Sequence, residues 1–266
     1  MDTRTPIITL TTDFGHAEPF VGIMKGAILC ITPNVQIVDL NHGIPPQDIR
    51  AAALTLAASV DHFPPGTIHV AVVDPGVGSG RRAILINSAG HYFVGPDNGV
   101  FSFVSQDKDS LRIVNLSNEA YHLHPKSHTF HGRDVFAPVA AHLARGVPAD
   151  EFGVPLQDCM RLPWPPVDRA GESILGEVLY IDRFGNLFTN IRERDLTGLA
   201  REKLRVGLGR ISIRGLSQSY AAGEKGTCIA LINSWGLVEI ATYNDNAASR
   251  TEAKIGDKVR IELLAK

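Results

Sequence analysis

Polar residues collect in three loops, each of which follows an apolar run in the first third of this sequence. The loops are residues 11–15 (TTDFG), 39–43 (DLNHG) and 74–82 (DPGVGSGRR). In an open parallel sheet, ligands bind beyond the carboxyl ends of the strands, where such loops meet. The sequence therefore predicts that the functional groups lie at this edge, above all in loop 74–82.

Loop 74–82 combines an aspartate, three glycines and two arginines. The glycines either form plain turns or let a ligand approach the backbone closely. The loop lacks the GK[ST] ending of a P-loop and the G-x-G-x-x-G spacing of a dinucleotide-binding loop. An aspartate and an arginine in one loop predict an ion pair, which would keep Asp74 ionised.

Two further segments offer groups for the same edge. Asp13 either caps the helix that follows it or binds two neighbouring hydroxyl groups, as sugar-binding aspartates do. Residues 131–134 (HGRD) are either a surface histidine followed by a capping aspartate, or a neutral imidazole presented to a ligand. In the second case, Gly132 gives close access to the backbone.

Several classes of function are not expected. The sequence has no H-E-x-x-H zinc motif, so no catalytic metal is predicted, and it has no G-x-S-x-G nucleophile loop of a serine hydrolase. The net charge is −2 and the sequence has no run of basic residues, so no nucleic-acid-binding surface is predicted. A metal-dependent phosphoester hydrolase built on Asp13, Asp74 and His131 stays open as an alternative.

Apolar periodicity predicts the elements that position these loops. Apolar runs predict strands that alternate with helices and pair in parallel, with right-handed crossovers. The predicted elements are strands at 7–10, 35–40 and 68–73, helices at 20–31 and 49–60, a hairpin over 83–94, a helix beginning at 100–104 and a helix over 135–143. The first helix is predicted to bury Phe20, Ile23, Met24, Ala27, Ile28 and Ile31.

From residue 172 onward, short alternating runs are separated by turns rich in Gly, Asn and Asp. They predict antiparallel strands in a small barrel or sandwich. These strands are at 174–181, 187–191, 204–208, 211–213, 227–232, 237–241 and 258–263. We therefore predict an N-terminal α/β domain at 1–162 with a largely parallel sheet flanked by helices, a proline-rich linker at 163–171, and an all-β, barrel-like C-terminal domain at 172–266.

The composition agrees with a folded, soluble protein of two domains. The chain has 266 residues, of which 44% are hydrophobic and 20% charged. No apolar run reaches the roughly 18 residues that span a bilayer, and no signal peptide is recognisable. The chain has three cysteines, which is an odd number, and they are widely spaced at Cys30, Cys159 and Cys228. We therefore expect a reducing, cytoplasmic compartment and no membrane partner.

The motifs together resemble a known family, the S-adenosyl-L-methionine hydroxide adenosyltransferases, which are relatives of the fluorinase and the chlorinase. The resemblance runs over nearly the whole chain, in order and through both domains. The matching segments are 11–15 (TTDFG), 72–82 (VVDPGVGSGRR), 95–99 (GPDNG), 130–144 (FHGRDVFAPVAAHLA), 181–186 (IDRFGN) and 233–248 (NSWGLVEIATYNDNAA).

This resemblance implies a reaction and an assembly. Water attacks C5′ of the ribose of S-adenosyl-L-methionine in line, and adenosine and L-methionine are released. No cofactor is implied, because S-adenosyl-L-methionine is the substrate. The family also implies a homotrimer, with each active site between the N-terminal domain of one subunit and the C-terminal domain of the next.

The resemblance further implies roles for individual residues. Asp74, Arg81 and His131 would form the catalytic group that handles the water, and spacing favours Arg81 over Arg82. The positions implied in substrate binding are Asp13, Asn98, Gly132, Asp182, Asn186, Phe188, Ser234, Asn246 and Ala247. Among these, Asp13 would bind the ribose 2′- and 3′-hydroxyls. Asp182 and Asn186 would serve the amino-acid end and the adenine, and Asn246 and Ala247 the adenine edge.

The chain departs from the fluorinase around the nucleophile. The fluorinase has a serine at the position of Gly132, a threonine at that of Val77 and a tyrosine at that of Asp74. A carboxylate beside the nucleophile repels a halide but accepts a proton from water, so hydroxide is predicted over halide. Trp235 stands where the fluorinase has an arginine at the methionine end. A halide-using enzyme and a module that binds adenosine or S-adenosyl-L-methionine without turnover remain the alternatives.

Overall fold

The computed structural model describes residues 5–104, 111–171 and 173–264. The chain divides into two compact units, residues 1–162 and 163–266, called unit 1 and unit 2 below. The strands of unit 1 are β1 (Ile7–Thr12), β2 (Gln36–Asn41), β3 (Ile68–Val72), β4 (Ala83–Ser88), β5 (His91–Pro96), β6 (Arg112–Asn115) and β7 (Val154–Leu156). Its α-helices are α1 (Phe20–Ile31), α2 (Ile49–Ser59) and α3 (Ala137–Ala144).

The sheet of unit 1 has the strand order β2-β1-β3-β5-β4-β6-β7. The strands β2, β1, β3 and β5 pair in parallel, whereas β4 pairs antiparallel with β5 and β6, and β6 with β7. Thr12 lies opposite Val72 in the parallel register of β1 and β3. Because both strands end at this level, the loops that carry Asp13 and Asp74 leave the sheet at the same edge. The predicted α/β class and the hairpin of β4 and β5 are confirmed.

Helix α1 buries most of the predicted face, because Met24 and Ile28 are buried and Ala27 and Ile31 pack against the same core. Val21, Met24 and Ile28 are buried, whereas Phe20 and Ile23 are 42% and 39% exposed. The helix is apolar on nearly every side, so periodicity alone leaves its rotation about its axis open. The prediction that Phe20 and Ile23 face the core was therefore wrong.

Helix α3 begins two residues later than predicted and is preceded by a π-helical turn, Gly132–Phe136. Pro138 lies at the start of α3 and has no N–H to donate to the carbonyl oxygen of Asp134, which accepts instead from the N–H of Leu123 at 2.8 Å. The π-helical turn begins directly after His131, so His131 lies at the start of this helical segment.

The helix predicted to begin at residues 100–104 is not α-helical over those residues. Ser102 N donates to Gly99 O, and Val104 N donates to Phe101 O, at 3.0 Å each. These three-residue spacings are those of turns and 3₁₀ geometry and not of an α-helix, and Gly99, with a φ of +95°, lies directly before them. Any continuation of the predicted helix lies at 105–110, outside the described residues.

Unit 2 is an antiparallel sheet with the strand order β12-β11-β15-β9-β10-β14-β13 and β8 beside β9. Its strands are β8 (Asp168–Ala170), β9 (Ser173–Ile181), β10 (Leu187–Arg192), β11 (Leu204–Leu208), β12 (Ile211–Arg214), β13 (Cys228–Ile232), β14 (Leu237–Thr242) and β15 (Lys258–Leu263), and its α-helix is α4 (Ala247–Thr251). A bridge between Ser217 and Leu231 joins the segment after β12 to β13, so the sheet nearly closes on itself. The barrel-like class predicted for this half is confirmed.

The segment predicted as a linker contains strand β8. Asp168 pairs with Leu175, and Ala170 pairs with Ser173. The last part of residues 163–171 is therefore held by the sheet of unit 2. Within the part of the chain that is described, no helix is long and apolar enough to cross a membrane.

Candidate active site

A cavity of about 540 Å³ opens in unit 1, where the parallel strands end. Its walls come from the loop after β1, the segment before α2, the loop after β3 and the segment before α3. Asp13, Asp74, His131 and Gly132 all line it. The structure therefore brings together most of the unit 1 side chains that the sequence singles out.

Asp74, Arg81 and His131 form one hydrogen-bonded cluster at this cavity. Arg81 Nε donates to Asp74 Oδ1 at 2.9 Å and to Oδ2 at 3.1 Å, and Arg81 Nη2 contacts Asp74 Oδ2 as well. The same Nη2 donates to Nδ1 of His131 at 2.9 Å. The two charged side chains are only 5% and 10% exposed, so water screens their ion pair weakly.

The imidazole of His131 is held in its neutral form. Burial lowers the pKa of His131, the positive charge of Arg81 lowers it further, and Asp74 acts in the opposite direction. A guanidinium only donates hydrogen bonds, so Nδ1 of His131 accepts the bond from Arg81. The proton of the neutral ring is then on Nε2.

Arg82 points to different partners from Arg81. Its Nε donates to Asp97 Oδ2 at 2.6 Å, and its Nη2 donates to Asp158 Oδ1 at 2.9 Å. Both acids raise the pKa of Arg82, and its side chain is 37% exposed. The geometry therefore joins Arg81, rather than Arg82, to Asp74 and His131.

Gly78 explains how loop 74–82 can lie so close to the segment before α3. Its φ of +76° is a left-handed conformation, and a Cβ built on it would collide with the carbonyl oxygen of His128. A side chain at residue 78 would push the two loops apart. Gly78 thus has a steric role, whereas a Cβ at Gly80 would meet nothing within 4 Å among the described residues.

Asp13 does not cap α1. The residue before α1 is Pro19, and α1 has no side-chain cap, whereas Asp13 Oδ2 accepts a hydrogen bond from the backbone N–H of Gln47 at 2.8 Å. Gln47 has a φ of 65°, which is unusual for a residue other than glycine. This contact fixes the carboxylate at the cavity wall and leaves Oδ1 without a recorded partner within the described residues.

Three phenylalanines at the cavity were missed by sequence reasoning. The ring centroids of Phe14, Phe20 and Phe130 lie 5.3 to 5.9 Å apart, in tilted and edge-to-face pairs. All three line the cavity. The positions of Phe14 and Phe130 next to Asp13 and His131 in the sequence were the available sign of this role, whereas nothing marked Phe20.

Asn98 does not line the cavity. Its Nδ2 donates to the carbonyl oxygen of Val73 at 2.8 Å, and its Oδ1 accepts from the N–H of Val100 at 3.2 Å. Both ends of the side-chain amide are thus bonded to backbone groups. Asn98 fixes the residue before Asp74, and a direct contact with substrate is not what its geometry favours.

In unit 2, the turn after β9 and the start of α4 lie against each other. Asp182 Oδ1 accepts from the N–H of Asn186 at 2.8 Å, and Asp182 Oδ2 accepts from Asn186 Nδ2 at 3.0 Å. The N–H of Ala248 donates to the carbonyl oxygen of Gly185 at 2.9 Å. Asn246 packs so closely on Gly185 that no Cβ would fit there. Asp182, Asn186, Asn246 and Ala247 are therefore brought into one group, in which Asn246 also caps α4.

Phe188, Ser234 and Trp235 form a second group in unit 2. The rings of Phe188 and Trp235 meet edge to face with centroids 4.9 Å apart, and Trp235 stacks on Tyr180 at 6.0 Å. Ser234 is exposed on the turn that carries Trp235. Buried Glu239, which sequence reasoning missed, lies opposite Phe188 and accepts from the hydroxyl of Tyr220 at 2.9 Å.

Over residues 5–104, 111–171 and 173–264, no group of three or more His, Cys, Asp and Glu side chains is arranged to hold a metal ion. Asp13, Asp74 and His131 line one cavity without forming such a group. The metal-dependent alternative therefore gains no geometric support from these three side chains.

Comparison with known families decides the family of this chain. Residues 8–153 match the SAM hydroxide adenosyltransferase N-terminal domain, and residues 176–260 match the SAM hydroxide adenosyltransferase C-terminal domain. The chain belongs to the SAM hydroxide adenosyltransferase family. The resemblance recognised from the sequence motifs is thereby confirmed.

Members of the SAM hydroxide adenosyltransferase family and their relatives are similar over nearly the full chain. A protein of Methanocaldococcus jannaschii named (R)-S-adenosyl-L-methionine hydrolase is 37% identical, and the alignment covers 96% of this chain and 95% of the relative. A solved structure of an uncharacterized conserved protein from Thermotoga maritima has a TM-score of 0.90 at 34% identity, covering 96% of this chain and 99% of that chain. The fluorinase of Nocardia brasiliensis is more distant, at 29% identity over 98% of both chains.

Proposed function

We propose that this protein hydrolyses S-adenosyl-L-methionine to adenosine and L-methionine. The observation that carries the proposal is the cluster of Asp74, Arg81 and His131 at the cavity, in a chain whose curated relatives are named (R)-S-adenosyl-L-methionine hydrolase. The oxygen of water forms a bond to C5′ of the ribose while the C5′–S bond breaks. The sulfur keeps the electron pair of that bond, and the water loses one proton.

The leaving group needs little help in this reaction. The sulfonium carries a positive charge, so methionine departs as a neutral thioether and no general acid is required. The protein has to hold C5′, sulfur and water in line and to accept the proton that water loses. A cavity with an acceptor and an orienting donor on its wall fits these two tasks.

The cluster assigns a role to each of its members. The Nε2–H of His131 is a donor and orients the water through its oxygen. Asp74 is the remaining acceptor and takes the proton as the C–O bond forms. Arg81 holds both partners in place with a guanidinium that cannot itself be deprotonated. The family resemblance left open whether His131 orients the water or deprotonates it, and the bond from Arg81 favours orientation.

Asp13 is the proposed ligand of the ribose. Its carboxylate lines the same cavity as Asp74 and is aimed by the N–H of Gln47. Two vicinal hydroxyl groups can share one carboxylate, which holds the sugar in the cavity. Gly132 has no side chain, so the wall of the cavity is open beside His131.

Water is proposed as the nucleophile in preference to a halide. A halide would have to lie next to the carboxylate of Asp74, in a site where screening by water is weak, and the two negative charges repel. Water gains from the same carboxylate, because it donates a proton to it. At the cavity, Arg81 offsets the charge of Asp74 only in part, because Asp74 lines the cavity and Arg81 lies behind it.

We also propose that the protein acts as a homotrimer in which a neighbouring subunit completes each site. The support is the family membership, together with the assignment of the adenine-binding positions to unit 2. Subunit complementation tests it. Asp74→Asn and Asp182→Asn chains, each inactive alone, should regain about a quarter of the activity when they are unfolded and refolded together. A monomer in ultracentrifugation, or no recovery in the mixture, would refute the shared site.

The cytoplasmic location expected from the sequence also remains a proposal. Cys30, Cys159 and Cys228 are all unpaired thiols, as is usual in a reducing compartment.

The decisive experiment is incubation of the purified protein with S-adenosyl-L-methionine in ¹⁸O-labelled water. The label is expected in the 5′-hydroxyl of adenosine. The (R) and (S) sulfonium epimers should be tested separately, because the relatives' name specifies (R) and the epimers exchange the methyl group with the methionine chain. Intact substrate with a raised melting temperature would instead indicate a binding module, and a 5′-chlorinated product in chloride would indicate a halogenase. Loss of activity with a chelator, restored by a divalent metal, would favour the metal-dependent alternative.

A further inference from the structure

A chain of hydrogen bonds links α1 to the end of β1, away from the Asp74 cluster. Lys25 Nζ donates to Asp39 Oδ2 at 2.6 Å. Asp39 Oδ1 lies 3.0 Å from Nε2 of His42, and Nδ1 of His42 lies 2.8 Å from the hydroxyl oxygen of Thr12. Thr12 and His42 are 0% and 2% exposed. Neither side chain lines the cavity, so both act behind its wall.

The direction of each hydrogen bond follows from the chemistry of the partners. Burial opposes ionisation of Asp39, but hydrogen bonds from Lys25 and His42 outweigh it and lower the pKa of Asp39. An ionised carboxylate only accepts, so Nε2 of His42 carries the proton and donates. In the neutral ring, Nδ1 is then an acceptor for the hydroxyl proton of Thr12.

This arrangement fixes the short loop that bears Asp13. The hydroxyl oxygen of Thr12 accepts from the N–H of Phe14 at 3.2 Å, and the carbonyl oxygen of His42 accepts from the N–H of Gly15 at 2.8 Å. Asp13 lies between these two anchored residues. Its own carboxylate takes one further bond, from the N–H of Gln47.

We infer that His42 is a positioning residue, which acts through Thr12 to set the direction of the Asp13 carboxylate at the cavity. The inference rests on the proposed function, because it assigns the aimed carboxylate to the ribose hydroxyls of S-adenosyl-L-methionine. The imidazole orients the Thr12 hydroxyl, and the hydroxyl oxygen holds the Phe14 N–H. The backbone on both sides of Asp13 is thereby held in place.

The same strand contains an internal control for this arrangement. Thr9, also on β1 and also 0% exposed, has its hydroxyl oxygen 2.9 Å from Nδ1 of His69. His69 is buried on β3, and its Nε2 faces His91 at 3.3 Å. None of these residues lines the cavity. Removal of either threonine hydroxyl therefore takes away the hydrogen-bond partner of Nδ1 in one buried histidine. Only Thr12, however, adjoins the loop of Asp13.

The test compares Thr12→Val, Thr12→Ser and Thr9→Val in the full-length protein. Valine is close in shape to threonine and lacks the hydroxyl, whereas serine keeps it. The measurements are kcat and KM with S-adenosyl-L-methionine, the affinity for adenosine by calorimetry, and the melting temperature. Because the ribose hydroxyls take no part in bond making, the loss should be in binding and not in kcat.

The expected result separates the two threonines. Thr12→Val raises KM and the Kd of adenosine about tenfold and changes kcat by less than about threefold. Thr12→Ser and Thr9→Val stay within about twofold of wild type in both constants, while Thr9→Val lowers the melting temperature about as much as Thr12→Val. Unchanged binding in Thr12→Val, or an equal rise in KM for Thr9→Val, overturns the inference.

A second pair of variants serves if Thr12→Val does not fold. In His42→Asn, the amide oxygen takes the place of Nδ1 and can still accept from Thr12. In His42→Gln, the amide nitrogen takes the place of Nε2 and can still donate to Asp39. The larger rise in KM is expected for His42→Gln, and the opposite order overturns the inference.

The same measurements separate this inference from the proposed function. If wild type hydrolyses S-adenosyl-L-methionine and the folded Thr12→Val variant binds adenosine as tightly as wild type, only the positioning role fails. If wild type neither cleaves S-adenosyl-L-methionine nor binds adenosine, the proposed function fails and the inference falls with it.

Discussion

Arg81 Nη2 lies 2.9 Å from Nδ1 of His131, so the guanidinium that pairs with Asp74 also decides which nitrogen of the imidazole bears the proton. With Nδ1 occupied as an acceptor, Nε2–H is the group left for the water. In the proposed mechanism, the proton of the water then goes to Asp74. Sequence reasoning identified the three residues but left this division of labour open.

Asp74→Asn should retain substrate binding and lose most turnover. The amide keeps the shape of the carboxylate but is a poor proton acceptor. We expect kcat to fall about 10²- to 10⁴-fold, with the Kd of adenosine nearly unchanged. Single-turnover kinetics and calorimetry measure the two quantities separately. Turnover equal to that of wild type would remove Asp74 from the mechanism.

Arg81→Lys and Arg82→Lys form a matched pair on adjacent residues. A lysine ammonium cannot reproduce the fork that reaches Asp74 and His131 together, so Arg81→Lys should lower kcat about 100-fold. Arg82 bonds Asp97 and Asp158 and lies outside the cluster. The same change at Arg82 should therefore leave kcat within about threefold of wild type. If the larger loss occurs at Arg82, the assignment of the two arginines has to be reversed.

The stability of the protein should decrease in acid because of buried His122. Neither ring nitrogen of His122 has a hydrogen-bond partner within the described residues, and burial lowers its pKa to about 4. In the unfolded chain His122 binds a proton near pH 6.5, whereas in the folded protein it binds one only near pH 4. The free energy of unfolding therefore falls as the pH drops from about 6.5 towards 4. This contribution reaches about 2 kcal/mol between pH 7 and pH 5.

Urea unfolding at pH 7 and pH 5 measures this effect. His122→Leu should reduce the difference in unfolding free energy between the two values of pH. The same substitution at His124, which is exposed two residues later, is the control and should leave the difference unchanged. An equally steep pH dependence in His122→Leu would show that other groups account for it.

Gly132→Ser should impair hydrolysis without creating a halogenase. A Cβ at residue 132 would lie 3.1 Å from Met24 Sδ and 3.1 Å from Phe130 Cε2, which is tighter than ordinary contact. One of these neighbours has to shift, and kcat/KM is expected to fall about tenfold. Gly132→Ala carries the same Cβ and should show the same loss. Formation of 5′-chloro-5′-deoxyadenosine by Gly132→Ser in chloride would contradict the role assigned to the carboxylate of Asp74.

The strands β1 to β5 of unit 1 and their loops were predictable because the apolar runs end in polar residues that must reach the surface, whereas the short edge strands β6 and β7 were not predicted. The face of α1 was predicted correctly at Met24 and Ile28 but not at its first turn, since a helix that is apolar all round gives no sign that Val21 and not Phe20 is buried. Strand β8 was missed because three prolines precede it and no alternation marks it. Its pairing depends on β9, which lies in the next segment of the chain.

The grouping of Asp74, Arg81 and His131 was predictable from motifs, whereas the residues that support the site were not. Thr12 and His42 are thirty residues apart, and no local sequence pattern predicts the hydrogen bond between their side chains. The protonation of His42 and of His131 follows only from the identity of their partners in three dimensions. Asn98 illustrates the converse: it lies within a recognisable motif, yet both ends of its amide are bonded to backbone groups.

The left-handed backbone of Gln47 has a consequence for attempts to make this protein more heat-resistant. A residue with a side chain in this conformation is about 1 kcal/mol less favourable than glycine, so Gln47→Gly is an obvious stabilising substitution. Yet the N–H of that residue is the one that aims Asp13. A glycine would loosen the segment in the same step, so under the proposed function a variant selected only for its melting temperature would bind the ribose less tightly.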